Sequence, residues 1–326
     1  MSIARRLMIG TALLAVAALA SAQPSMHRIG WLGHGNPPAR QPAAMSDFLQ
    51  AMRDAGYVEG RNLAIEYRYA NGIIERLPEL ASDLVRLKVD VIVTSGEPAA
   101  FAAKRATNAI PIVVTEFALD PVKAGLVASL ARPEGNVTGL ISISEELWRK
   151  RLEQMKAAVP RLKRVTALSN PDNPANVFCV NELRAAAKGI DAQIRPLEAG
   201  SDKALERAFV DMAREPPDAI VVCGDSMTFD NAALIGKFAL SRQLPAFAPL
   251  REYVVAGSLV SFGASLAAQR RRAASYVDRI LKGSKPAALP VERPTHFELV
   301  VNTKTAAALR IALPQEWLLL ADDLIE

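Results

Sequence analysis

The chain has 326 residues, about two domains at ~150 residues each. Half of it is hydrophobic and 22% is charged, which excludes a disordered tail, a collagen-like chain and a low-complexity scaffold. The net charge of +5 falls to +3 without Arg5 and Arg6 of the expected export signal, too mild to imply nucleic acid, and two cysteines with three scattered histidines leave neither a disulfide framework nor a zinc motif.

The N-terminus reads as an export signal. Arg5 and Arg6 precede an apolar run from Leu7 to Ala20, and Ala20-Ser21-Ala22 forms a small-x-small end before Gln23. The run is shorter than the ~20 residues a spanning helix needs. A cleaved signal peptide over 1–22 is expected, with a mature chain from Gln23. No Cys follows the cleavage site, so no lipid anchor is expected. No later stretch is long and apolar enough to be membrane-embedded. The expected location is the periplasm.

Short apolar runs then alternate with amphipathic helices. Arg28 to Leu32 reads as a strand, and Gln41 to Gly56 as a helix with Phe48, Leu49 and Met52 on one face. Asn62 to Tyr69 alternates as a strand. Glu75 to Lys88 places Leu77, Leu80, Leu84 and Leu87 at helical spacing. Asp90 to Thr94 is a buried strand, Pro98 to Thr107 a helix and Ile112 to Thr115 a strand. The second half repeats this grammar. Trp148, Leu152, Met155 and Val159 share a helix face. Strands follow at Val165–Leu168, Ala192–Arg195 and Ala219–Val222, with helices over 175–188, around Leu205–Met212 and over 232–242. Ser258–Phe262, a long helix from Leu266 to Lys282 and Phe297–Val301 close the series. Such a series predicts an α/β fold of two doubly wound parallel-sheet lobes.

Ligands of such sheets bind beyond the carboxyl ends of the strands. The candidate site therefore lies in the loops after the strands: Asn36, Ser95, Gly96, Glu97, Pro98, Glu116 and Asp120 on one lobe, Ser142, Asn170 and Asp225 on the other. Gly33-His34-Gly35-Asn36-Pro37-Pro38 begins like a dinucleotide turn but ends in Pro38 where a small residue is needed. Ser95 reads as a helix cap, and Gly96 lets a ligand approach the backbone. Asp120 before Pro121 also reads as a cap. Two placements of Glu97 are open. Facing the cleft with Asp120 and Asp225, it would favour a cationic or multi-donor ligand. Turned outward in the first helical turn, which its place beside Pro98 favours, it would complement the helix dipole and leave the Ser95–Gly96 amides to a carboxylate. No G-x-S-x-G and no nucleophile with an evident base is present, so catalytic residues, metal and cofactors are all expected to be none. Arg270-Arg271-Arg272 reads most simply as a solvated face. Cys179 and Cys223 could pair in an oxidising compartment, but the sequence does not give their separation.

Several strings are familiar together: Gly56-Tyr57-Val58-Glu59-Gly60-Arg61-Asn62, Arg76-Leu77-Pro78-Glu79-Leu80-Ala81, Gly125-Leu126-Val127-Ala128-Ser129-Leu130, Pro133-Glu134-Gly135-Asn136-Val137-Thr138-Gly139, Tyr276-Val277-Asp278-Arg279-Ile280-Leu281-Lys282-Gly283 and Leu289-Pro290-Val291-Glu292-Arg293-Pro294. With them the chain resembles the ABC transporter substrate-binding protein family, from about Arg28 to Glu326. The resemblance implies a type I periplasmic binding protein architecture with a hinge of three crossings. Lobe one is expected at 28–140 plus 257–284, and lobe two at 141–256 plus 285–326. It further implies a monomer that captures a small-molecule ligand, an amino acid or related small carboxylate, and delivers it to the membrane permease of an ABC importer. Members commonly carry Gly-Thr-Pro-Ala-Ala where this chain has Gly96, Glu97, Pro98, Ala99 and Ala100. Two other readings are an exported α/β hydrolase-like enzyme, which needs a nucleophile–base pair, and a ligand-sensing domain without a transport role.

Overall fold

The computed structural model describes residues 26–37, 42–142 and 145–326. The expected signal peptide lies outside them. Two sheets organise the chain. The first is built from β1 (His27–Gly33), β2 (Leu63–Tyr69), β3 (Val91–Ser95), β4 (Ile112–Phe117) and β5 (Val137–Ile141), in the order β2-β1-β3-β4-β5, all parallel. The strands carry apolar side chains on both faces, and helices cover both. Ile29, Trp31 and Val93 pack under α1 (Pro42–Asp54) and the long helix at Leu266–Leu281. Leu32, Ile92 and Val114 pack under α2 (Leu77–Arg86) and α3 (Glu97–Ala106).

The second lobe repeats the plan. It contains α4 (Glu145–Ala158), β6 (Arg164–Ser169), α5 (Pro174–Ala187), β7 (Gln193–Glu198), α6 (Asp202–Arg214) and β8 (Ala219–Val222). A five-residue helix that the sequence pattern does not announce, α7 (Ser226–Asp230), and the expected helix α8 (Ala232–Ser241) follow. Then come β9 (Ala246–Ala248), α9 (Arg251–Val255), β10 (Val260–Gly263), α10 (Leu266–Leu281), β11 (Glu298–Asn302), α11 (Thr303–Leu309), α12 (Gln315–Leu320) and β12 (Asp323–Ile325). The strand order is β12-β11-β10-β9-β8-β6-β7, parallel except where β11 meets β10. Alternation sends Val165 and Ala167 to the α4–α5 side, and Leu168 to the α6–α8 side.

Two of the expected lobe boundaries shift. The segment 257–263, expected in lobe one, lies in the second sheet, because β10 bonds to β9 and β11. The segment 285–292, expected in lobe two, returns to the first sheet: Leu289 and Val291 are buried in its two cores, and Ile141 N–H donates to the Glu292 carbonyl at 2.8 Å. The chain thus passes between the lobes after β5, after β10 and after Glu292, and β10 ends where lobe one resumes with α10.

Cys179 on α5 and Cys223 at the end of β8 form a disulfide, with a Cα–Cα distance of 6.1 Å. The sequence left this pairing open; the fold places α5 over the carboxyl end of β8. The bond closes a loop of 44 residues. By chain entropy such a closure is worth about 4 kcal/mol. Replacing both cysteines by alanine is expected to lower urea stability by that order and to raise the m-value, since the unfolded chain is no longer cross-linked, and an unchanged midpoint would contradict it.

Candidate functional site

The carboxyl ends of the two sheets face each other across a partly open cleft. Its volume is about 210 Å³. Residues after β1, β3, β4 and β5 with the first turns of α10 wall it on one side, and residues after β8 and β9 with the first turns of α4 and α5 on the other. Much of the wall is aromatic: Trp31, Tyr69, Trp148, Phe229 and Tyr253.

The sequence candidates separate into two groups. Asn36, Ser95, Gly96, Glu97, Pro98, Glu116, Ser142 and Asp225 line the cavity. Asp120 is not on the wall. Its carboxylate accepts from the N–H groups of Val122 and Lys123, so it caps a turn. Asn170 stands behind the wall and donates to Asp225 Oδ2 at 3.3 Å.

Ser95 does not cap α3. Gly96 occupies the cap position at φ 75°, a conformation that suits glycine, and Ser95 Oγ instead donates to Glu116 Oε1 at 2.5 Å. Thr115 Oγ1 donates to the other oxygen of Glu116. Glu97 does not turn outward. It is 2% exposed, and its Oε1 accepts from Leu119 N–H at 2.8 Å and from Ala118 N–H. The carboxylate therefore ties α3 to the loop after β4, bridging two strand ends. Burial pushes its pKa up to about 7. Its backbone hydrogen bonds oppose the rise, and the nearby Glu116 adds to it.

Asp225 is the hub of the lobe-two wall. It caps α7, accepting from Met227 N–H at 2.9 Å, and its Oδ2 accepts from Asn173 Nδ2 at 2.8 Å. Asn173 in turn caps α5, and Asn176 Nδ2 donates to the Gly224 carbonyl. The disulfide lies in the same corner, with Cys179 on the cavity wall.

Two arginines also reach the cavity. Arg151, on α4, and Arg270, on α10, are 6% and 7% exposed. Arg270 is not part of a solvated basic face. Two of its guanidinium nitrogens, Nε and Nη1, are buried without a hydrogen-bond partner, and burial lowers its pKa against the pull of Glu116, Glu252, Tyr69 and Asp47. Arg271 and Arg272, by contrast, are exposed, and pair with Asp47 and Glu292. The basic triplet by itself does not show which of its members turns inward. Helical phase does so, because Arg270 follows Leu266 by four residues on the cavity side of α10.

The lobes touch at the rim. His34 Nε2 lies 3.3 Å from the Gly72 carbonyl within lobe one, and its Nδ1 lies 3.3 Å from Ser226 Oγ of lobe two. Asn36 Nδ2 donates to Asp230 across the same gap. Ser226, His34 and Asp225 are thus neighbours, but Ser226 and Asp225 both face Nδ1, the latter at 4.0 Å. A Ser-His-Asp relay needs them on opposite ring nitrogens, so this trio is a contact and not a relay. Among the described residues no group of His, Cys, Asp and Glu could hold a metal ion, and no helix is long and apolar enough to cross a membrane.

A family model described as ABC transporter substrate binding protein matches residues 38–325. The chain belongs to that family. A tyrosine-binding protein of Clostridioides difficile (strain R20291) is 28% identical over 82% of this chain and 76% of its own length. A conserved domain protein from Vibrio cholerae superposes with a TM-score of 0.83 at 28% identity, covering 92% of this chain and 100% of that one. An ABC domain from Streptococcus pneumoniae in complex with L-Trp gives 0.80 at 24% identity over the same shares. The neighbours establish the type I periplasmic binding protein fold.

Two outcomes are expected from this geometry. A Cβ added at Gly35 would stand 2.9 Å from Ser226 Cβ on the opposite lobe. Gly35→Val should therefore hold the lobes apart. Ligand affinity should fall at least tenfold, and the ligand-bound radius of gyration in small-angle scattering should exceed that of the wild type. Unchanged affinity would show that the rim contact is irrelevant to closure. The second concerns Glu97. Its folded pKa lies above the ordinary 4.5, so the folded state binds the extra proton. The resulting stability is fully present below about pH 4.5 and is lost as pH rises through about 7, an effect of about 3 kcal/mol at most. Glu97→Gln, which keeps an acceptor for the Ala118 and Leu119 amides, should flatten this part of the stability–pH curve. A curve that stays as steep would assign the slope to other groups.

Proposed function

We propose that this chain is an exported receptor that closes its two lobes on an amino acid and hands it to the membrane permease of an ABC importer. The observation that carries the reading is the makeup of the cavity. Two buried guanidinium groups and three carboxyl groups, those of Glu97, Glu116 and Asp225, stand on walls that also carry asparagine and serine side chains and five aromatic rings. A zwitterion with an apolar or aromatic side chain matches such a surface: its carboxylate meets an arginine, its ammonium a carboxylate, and its side chain the rings. A sugar would leave the Arg151 guanidinium without a counter-charge. A C. difficile relative is described as tyrosine-binding, and the S. pneumoniae neighbour was solved with L-Trp, so L-Tyr and L-Trp are the natural first probes. The signal-like N-terminus supports export. The family membership supports the permease as the next partner.

A thermal-shift screen of the proteinogenic amino acids, aromatic acids and sugars tests the reading. A true ligand at 100 times its Kd should add about 2.7 kcal/mol of stability. Asp225→Ala should weaken that ligand on the order of 30-fold, because the Asn170–Asn173 wall loses its anchor. Affinity within twofold of wild type would remove Asp225 from the site, and a sugar as the tightest ligand would replace the amino-acid reading.

A further inference from the structure

Arg151 and Arg270 line one cavity but stand in different electrostatic surroundings. Around Arg270 lie the charges of Glu116, Glu252 and Asp47. Arg151 has no such company. Among the described residues no acidic group acts on it, and burial alone pulls its pKa down. Its Nε donates to the Phe262 carbonyl at 2.8 Å, and its guanidinium lies 4.7 Å from the centre of the Trp148 ring. Those two contacts fix the plane of the fork and leave the Nη edge uncommitted. One helical turn away on the same helix, the Trp148 Nε1–H is buried with no partner. Both side chains line the cavity. A fixed guanidinium edge without a counter-ion, beside an unpartnered indole N–H, is a site built for an acceptor that carries negative charge.

We infer that Arg151, and not Arg270, holds the carboxylate of the bound solute, with the indole N–H of Trp148 beside it. This rests on the amino-acid reading for the identity of the solute, but the carboxylate requirement stands apart from it. Arg270 then acts within lobe one, in the field of the Glu116 carboxylate that Ser95 and Thr115 orient. The placement has a consequence for closure. Arg151 belongs to lobe two, and its Nε is tied to the last residues of β10, next to the second crossing. A carboxylate on its Nη edge therefore links the ligand to the segment about which the lobes swing.

The test is isothermal titration of the wild type, Arg151→Gln and Arg151→Lys with three matched probes. They are L-tyrosine, tyramine, which lacks the carboxylate, and 4-hydroxyphenylpropionate, which lacks the ammonium. The remaining amino acids follow if L-tyrosine does not bind. Near-UV circular dichroism checks that each variant is folded. Arg151→Gln should weaken every carboxylate probe on the order of 100-fold, with partial recovery in Arg151→Lys, and leave tyramine within about twofold of wild type. Equal losses for tyrosine and tyramine would make Arg151 a structural residue and overturn the inference. So would wild-type affinity in the Gln variant, or a wild-type protein that binds no carboxylate. If 4-hydroxyphenylpropionate binds and no amino acid does, the amino-acid reading fails. Loss of that binding in Arg151→Gln would still support Arg151 as the anchor.

Discussion

Two parallel sheets, each apolar on both faces, must each be covered by helices on both sides, and this constraint sets everything else. It leaves only the strand ends free. The three passages between the lobes bring the carboxyl ends of both sheets to one space. Many of the residues that meet there follow a strand, and others stand on helix turns or within a strand. They are small or polar at the tips, as in Ser95-Gly96 and Gly224-Asp225, and aromatic on the flanks. The site is a product of topology before it is a product of particular side chains.

The walls of that space carry more charge than a core tolerates unpaired. The structure manages it in three ways. Asp225 is spread over two asparagine side chains and a helix N-terminus. Glu97 is placed on two backbone amides and given a raised pKa, so that it is held neutral in part near pH 7. Glu116 is met by two hydroxyls. Each acid is thereby satisfied within its own lobe. The arginines are less completely answered, which biases the empty cavity toward an anion and the closed cavity toward a solute that brings one.

The parallel α/β character was legible because buried strands such as Val91–Ser95 read as continuous apolar runs and the helices between them keep their period. The strand-end rule located eight cavity residues, including Asn36, Glu116 and Asp225. It failed at Asp120 and Asn170, whose short polar side chains serve local backbone and neighbour bonds that no pattern distinguishes from ligand contacts. It missed Arg151, Arg270, Trp148 and Tyr69, which sit on helix turns or within a strand. Arg270 in particular lies in a basic triplet whose two other members are exposed, and only helical phase against the sheet separates it from them. Lobe membership of 257–263 was misjudged because a strand's sheet is decided by its hydrogen-bond partners, β9 and β11, and these are distant in sequence. The short helices α7 and α9 span five residues each, too few for a period to show.

The disulfide and the asparagine cluster occupy one corner of lobe two, and their combination suggests why that wall needs no ligand to hold its shape. Asn173 and Asn176 open α5; Asp225 opens α7 at the end of β8. The bond from Cys179 to Cys223 fixes the same helix to the same strand end. Three independent ties therefore converge: an Asn173–Asp225 hydrogen bond, an Asn176–Gly224 hydrogen bond and a covalent bridge. At the rim of lobe one Gly33, Gly35 and Gly72 bring backbone close to neighbouring side chains. A preformed wall on one lobe and a close-fitting glycine rim on the other divide the work of capture. The first presents its polar groups to an arriving solute at little entropic cost, and the second allows the opposite lobe to settle over it.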